Sequence, residues 1–193
     1  MAKKHSKLNA KPPKQLVTDE HILVPDYLRK FHCIGSNCED TCCIGWGVDI
    51  DQATWRRYQA SQHKTLSPLF ERVVVRQTNP NAYDDQAYAI INMLPNGWCP
   101  FLQQDKLCLI QKELGDEALS FTCTKYPRYY NLFGEQLECG LNVSCPEAAR
   151  LVLLHPEPIT LVRDAPDTYH FMRENKNFRV LITPENVTPL KEF

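Results

Sequence analysis

The sequence predicts an irregular, helix-leaning α+β domain organised around its cysteines, and three observations carry that expectation. Nine cysteines occur in 193 residues and fall into three groups. Short helical patterns with clear start and stop residues alternate with short apolar, strand-like runs. Glycine is scarce at seven residues, yet Gly35, Gly45 and Gly47 crowd into the first cysteine group, where tight bends suit a loop wrapped around a ligand. Apolar residues (43%) and charged residues (23%) are at ordinary globular levels. The net charge of −1 does not mark a nucleic-acid binder.

Residues 1–20 read as a basic flexible tail, with Lys3, Lys4, Lys7, Lys11 and Lys14 and no acid in the first fourteen positions. The cysteine domain is expected over 21–155. Its first group, FHCIGSNCEDTCCIGWGVDID, holds Cys33, Cys38, Cys42 and Cys43. A helix capped by Asp51 should run over Gln52–Gln59, with Trp55 and Tyr58 three apart on one face. A second short helix is expected over 68–74. Residues 76–86 form a polar loop, and 87–94 a strand or a buried core segment. The second group holds Cys99, Cys108 and Cys123. Leu107, Ile110, Leu114 and Leu119 approximate a helical stripe, with Gly115 as a stop. The third group holds Cys139 and Cys145. Pro146 suits the first position of a helix, Glu147 complements the dipole of its first turn, and Pro156 ends it. Residues 156–193 form a C-terminal extension with strand-like runs at 158–162 and 178–182.

The first residues have the positive charge of a secretory signal but lack its apolar run. No stretch approaches the ~18 apolar residues of a membrane helix. The expected compartment is therefore the cytoplasm, where thiols stay reduced and a dense set of cysteines points to metal. The odd count agrees, since complete pairing would leave one thiol over. The spacings are C-x4-C-x3-C-C, C-x8-C-x14-C and C-x5-C. Thiolates favour zinc, copper(I) and iron–sulfur clusters. No C-x2-C knuckle of the zinc-finger kind occurs, and the bacterial ferredoxin run is absent too. A four-thiol site assembled from separate loops remains open to either metal. Nine thiols exceed what one site needs, so either two sites exist or several thiols are bystanders. Among the histidines, His32 beside Cys33 is the candidate ligand.

These residues resemble a known family. Phe31-His32-Cys33-Ile34-Gly35, Cys38-Glu39-Asp40-Thr41-Cys42-Cys43-Ile44-Gly45-Trp46 and Val48-Asp49-Ile50-Asp51 resemble the N-terminal signature of flagellin lysine N-methylases (the FliB type). Cys99-Pro100-Phe101-Leu102, Leu107-Cys108-Leu109-Ile110, Tyr126-Pro127-Arg128 and Ser144-Cys145-Pro146-Glu147-Ala148-Ala149-Arg150 resemble later parts of the same family. They are also similar to the wider YkgJ-type group of zinc- or iron-chelating cysteine-cluster proteins. The resemblance implies a cysteine-bound iron–sulfur cluster, 4Fe-4S, with zinc as the alternative. It further implies S-adenosylmethionine as methyl donor and flagellin lysines as acceptors. The matching metal ligands are Cys33, Cys38, Cys42, Cys43, Cys99, Cys108, Cys123 and Cys145, with Cys139 least supported. Members of that family run well past 193 residues, so 156–193 is expected to be the truncated start of a further region.

Independent signs of methyl transfer are few. No glycine-rich turn of the Rossmann kind is present. Cys38-x3-Cys42 begins the C-x3-C-x2-C pattern of radical enzymes, but Gly45 stands where the third cysteine belongs. A lysine acceptor must be neutral against a reference pKa of ~10.4, and the sulfonium donor must be held in line with it. Aromatic faces suit both cations, and Trp46, Trp98, Tyr126, Tyr129 and Tyr130 lie beside cysteine groups. Asp49 is a candidate base, and Asp51 is either a base or the helix cap. Lys125 and Arg128 flank Cys123 and would favour its thiolate. The catalytic candidates are thus Asp49, Trp46, Tyr126 and Tyr129. A non-catalytic metal-chelating module and a redox iron–sulfur protein are the rival readings.

Overall fold

In a computed structural model of the chain, residues 21–78, 87–133, 136–165 and 168 are described. The chain builds β1 (Ile22–Pro25), β2 (Val48–Ile50), α1 (Gln52–Gln59), α2 (Leu66–Val73), β3 (Val74–Arg76) and β4 (Ala89–Ile91). It continues through α3 (Leu109–Leu114), α4 (Phe121–Lys125), β5 (Arg128–Phe133), β6 (Gln136–Leu141), α5 (Pro146–Leu153) and β7 (Leu161–Asp164). The α+β expectation holds. The strands carry more of the architecture than a helix-leaning reading foresees: among the described residues they form two sheets.

The first sheet has the order β5-β6-β1-β7, with β1 parallel to β6 and antiparallel to β7. Ile22 and Val24 on β1 and Leu137 on β6 are fully buried, and Ala148 of α5 packs against the same core. β1 runs into a 3₁₀ turn, Asp26–Lys30, which adds Tyr27 and Leu28 to that core. Arg29 pairs with Asp164, fastening this turn to the edge strand. The Thr160 hydroxyl donates to the Asp26 carboxylate at 2.9 Å and holds its pKa below the usual carboxylate range.

The second sheet has the order β2-β4-β3, fully antiparallel. Helices α1 and α2 join its core through Tyr58, Leu66, Phe70 and Val73. Phe70 is fully buried, stacks on Tyr58 with ring centres 4.0 Å apart, and meets Phe101 at 5.4 Å. The Tyr58 hydroxyl donates to Ala118 O at 2.8 Å, so burying the ring strands no polar atom.

Local signals set most helix ends. Asp51 caps α1 by accepting from Thr54 N at 2.8 Å, and its other oxygen accepts from Phe121 N at 3.0 Å, joining the starts of α1 and α4. Its role is therefore the structural one. Pro146 occupies the first turn of α5, and Gly115, at φ 82°, terminates α3. Three boundaries differ from expectation. The second helix starts at Leu66, because Pro68 is tolerated in a first turn, and Val74 leaves it to open β3. The leucine stripe is not one helix, since α3 stops at Leu114 and Leu119 follows a separate 3₁₀ turn. The strand expected at 158–162 is Leu161–Asp164, shifted by its register with β1. The tail 1–20, most of the polar loop and the run at 178–182 lie outside the described residues.

Candidate functional site

The three cysteine blocks meet at one cavity of about 370 Å³. Cys33, Cys38, Cys42, Cys43, Cys99, Cys108, Cys123 and Cys145 all line it. Cys139 does not; it is 3% exposed within the core of the first sheet, where burial pushes its thiol up to about 12. All nine are free thiols.

Each block is placed by identifiable backbone. Cys33 and Cys38 flank a 3₁₀ turn, Gly35–Asn37, closed by Cys38 N donating to Gly35 O at 3.1 Å. Gly35, at φ 57°, permits the bend. The second and first blocks are stitched by Cys99 N donating to Cys43 O at 2.8 Å and Gly45 N donating to Gly97 O at 3.0 Å, around an Ile44–Trp98 bridge. Cys108 precedes α3 and pairs with Leu102. Cys123 sits in α4, where Ser120 caps the helix by accepting from Cys123 N at 3.3 Å. Cys145 precedes α5.

The electrostatics show what these thiols lack. The hydrogen bond with Cys43 and burial push Cys42 far above the ordinary thiol range. For Cys43 the bond with Cys42 pulls down, but the bond with Cys99, burial and neighbouring thiols outweigh it and lift the pKa to about 12. Cys99 is lowered by accepting from Cys43. Burial raises Cys108 and Cys145 and lifts Cys123 to about 12. Opposing this, backbone N–H groups of Gln111 and Ile110 favour the Cys108 thiolate, those of Ala148 and Glu147 favour that of Cys145, and the Ser120 side chain favours that of Cys123. Cys99, Cys108, Cys123 and Cys145 are thus buried or half-buried, Cys33 and Cys42 are exposed, and donors are already aimed at three of the sulfurs. Among the described residues, no three His, Cys, Asp or Glu side chains are already gathered as an ion site.

Two of the four catalytic candidates reach the cavity. Trp46 and Tyr126 both line it, with ring centres 5.5 Å apart and planes tilted by 34°. The Trp46 indole donates to Cys42 O at 2.7 Å, and the Tyr126 hydroxyl bonds Ser144 Oγ at 3.0 Å. Asp49 and Tyr129 lie outside the lining. Asp49 accepts from Gln77 Nε2 at 2.8 Å, tying β2 to the end of β3. Tyr129 lies across Gly140 on the neighbouring strand, so close that a β-carbon there would stand 2.4 Å from its hydroxyl. Strand alternation turns Asp49 away from the cavity-lining Val48 and Ile50, and cross-strand pairing occupies Tyr129. Trp98 and Tyr130 are also absent from the lining, whereas Arg128 is on it and stacks over Phe31 at 4.9 Å. His32 is exposed and is not part of the lining. The sequence reading overlooked Asp116, Ser120 and Ser144 on the wall. Of these, Ser120 carried the general preference of serine for a helix N-cap, the position it holds before α4.

No family model matches the chain, and no solved structure matches it significantly. Curated relatives do. A lysine-N-methylase of Salmonella typhimurium is 32% identical over 142 residues, covering 72% of this chain and 34% of that protein. The lysine-N-methylase of Salmonella choleraesuis matches to the same extent. The flagellar biosynthetic protein FliU of Salmonella muenchen is also 32% identical over 142 residues, and there the match covers 81% of the relative. The chain thus spans about a third of the lysine-N-methylases and most of the shorter relative. By this likeness the chain belongs to the lysine-N-methylase and FliU family.

Proposed function

We propose that this chain is the cysteine-cavity portion of a protein-lysine N-methylase. It would use S-adenosylmethionine as donor, flagellin lysines as acceptors, and a thiolate-bound 4Fe-4S cluster as resident cofactor, in the cytoplasm. One observation carries the reading: in a member of the lysine-N-methylase family, eight cysteines from three separate blocks line a single cavity. None of the described helices is long and apolar enough to cross a membrane.

The donor set suits a soft metal centre in number and chemistry. Buried thiols with raised pKa values become favourable thiolates only beside positive charge, which a metal supplies. The N–H groups at the starts of α3 and α5 and the Ser120 hydroxyl would support ligating sulfur as a second layer of contacts. Four of the eight suffice for one cluster, and metal binding would itself have to draw them together. When bound, an iron–sulfur cluster would supply redox and Lewis-acid chemistry; zinc is the alternative occupant. The remaining work falls to the chain. The faces of Trp46 and Tyr126 are suited to hold a sulfonium or an alkylammonium. Apolar wall residues such as Phe31, Ile91 and Leu119 exclude water and so favour the neutral amine. Asp116, held by Gln111 at 2.7 Å, offers a carboxylate on the wall for the departing proton.

The expected result is methyl transfer from labelled S-adenosylmethionine to purified flagellin by the anaerobically prepared chain. Its loss in Trp46→Ala, with metal content unchanged, would support the aromatic pair as the cation site. Absence of transfer by a fully loaded chain would favour a second reading, a metal-binding module that needs the rest of the longer protein. The one-third coverage of the methylases favours that alternative.

A further inference from the structure

The first cysteine loop is gripped from two sides. Lys106 stands in the turn between Leu102 and Cys108, and at φ 64° it is the one non-glycine among the described residues with left-handed backbone. Glycine or asparagine would occupy that turn with less strain. The lysine instead reaches across: its ammonium donates to Cys38 O at 3.0 Å and to Glu39 O at 3.2 Å. From the third block, Arg150 on α5 donates to the Glu39 carboxylate at 2.6 Å. The same guanidinium is steadied by Glu147, one helical turn away, whose side chain is only 13% exposed. The dipeptide Cys38-Glu39 is thus held through its backbone by the second cysteine block and through its side chain by the third. The loop's own turn bonds, such as Asn37 N to Ile34 O at 3.2 Å, fix its shape. Lys106 and Arg150 fix its place.

We propose that Lys106 and Arg150 are positioning residues, a two-sided latch that holds the Cys33–Cys38 loop closed over the cavity against the blocks carrying Cys108 and Cys145. The proposal rests on the cavity being the functional site and on no feature of the reaction. Exposed ion pairs add little to global stability, but a loop's opening equilibrium is set by its own few attachments. The latch should therefore show in local reactivity and not in the unfolding midpoint.

The test uses the full chain, reduced and stripped of metal by chelator under nitrogen, and follows iodoacetamide labelling of each cysteine by peptide mass spectrometry. Lys106→Gly should label at Cys38 about fivefold faster than the parent, the effect of losing one good charge-assisted contact. Its unfolding midpoint should stay equal or rise, because glycine relaxes the turn. Labelling of Cys123 should not change. Removing a cation would by itself slow alkylation, since nearby positive charge favours the thiolate, so acceleration reports opening. Arg150→Gln, which alters no strained backbone, should act in the same direction, and Lys106→Arg should restore the parent rate. An unchanged Cys38 rate in both Lys106→Gly and Arg150→Gln would overturn the latch. So would equal acceleration at Cys38 and Cys123, which signals general loosening. Neither result depends on methyl transfer, so a chain that labels as expected yet transfers no methyl group counts against the functional reading and leaves the latch standing.

Discussion

Serine in place of Cys99 or Cys123 should lower metal affinity by at least roughly 100-fold, the upper range for loss of even an outer contact around a metal site. Cys99 donates its backbone N–H to Cys43 O of the first block, and its thiol accepts a hydrogen bond from Cys43, so it stands where two blocks join. Cys123 lines the cavity with Ser120 beside it, and burial raises its thiol to about 12, so a neighbouring cation would favour its thiolate. Cys139→Ala is the matched control. That thiol is as buried as Cys99 but belongs to the core of the first sheet, so metal content should stay at the parent level. Iron, zinc and acid-labile sulfide counted per chain in the three variants check the prediction. Full metal content in both Cys99→Ser and Cys123→Ser, or loss in Cys139→Ala alone, would move the centre away from the cavity.

Phe70→Ala should destabilise the chain by about 3–5 kcal/mol, the usual range for truncating a buried phenylalanine. The ring is fully buried, stacked on Tyr58 and in contact with Phe101. Against a typical net stability of about 5–15 kcal/mol, that is a large share. The site should feel it as well. Phe101 O accepts from Leu109 N at 2.8 Å, at the first residue of α3 and directly after Cys108. Loosening the ring stack therefore loosens the start of that helix. Urea unfolding of the reduced chain measures the stability, and a midpoint within error of the parent would show that the second core is not closed by these rings.

How much of this was legible in the sequence depended on range. Asp51, Gly115 and Pro146 act within a few residues of their own positions, and each was readable as a helix signal. The cysteine blocks were legible as a set, and the thiol set apart from them, Cys139, is the one the fold places in another core. The strand framework was not legible. β1 pairs in parallel with β6, Ile22 opposite Leu137, and nothing local in a four-residue strand announces a partner so far along the chain. The aromatic run in β5 read as pocket material because its residues flank cysteines. Hairpin pairing with β6 instead spends Tyr129 on covering Gly140 and buries Tyr130 in the first core. Asp49 illustrates the same limit: an acid beside a cysteine block looks chemical until Gln77, brought next to it by the second sheet, accounts for it. The partners of Glu39, Lys106 and Arg150 were not legible either, since a charged side chain names its partner only after the blocks have met.

If thiolates from all three blocks grip one inorganic centre, the metal should come with the chain when it is purified. The most direct measurement is an oxygen-free preparation of the chain, with iron, sulfide and zinc counted per polypeptide and the visible absorption recorded. The expected result is a brown protein with about four iron and four sulfide per chain, in the proportion of one cubane cluster. A folded, colourless chain empty of both iron and zinc would contradict it.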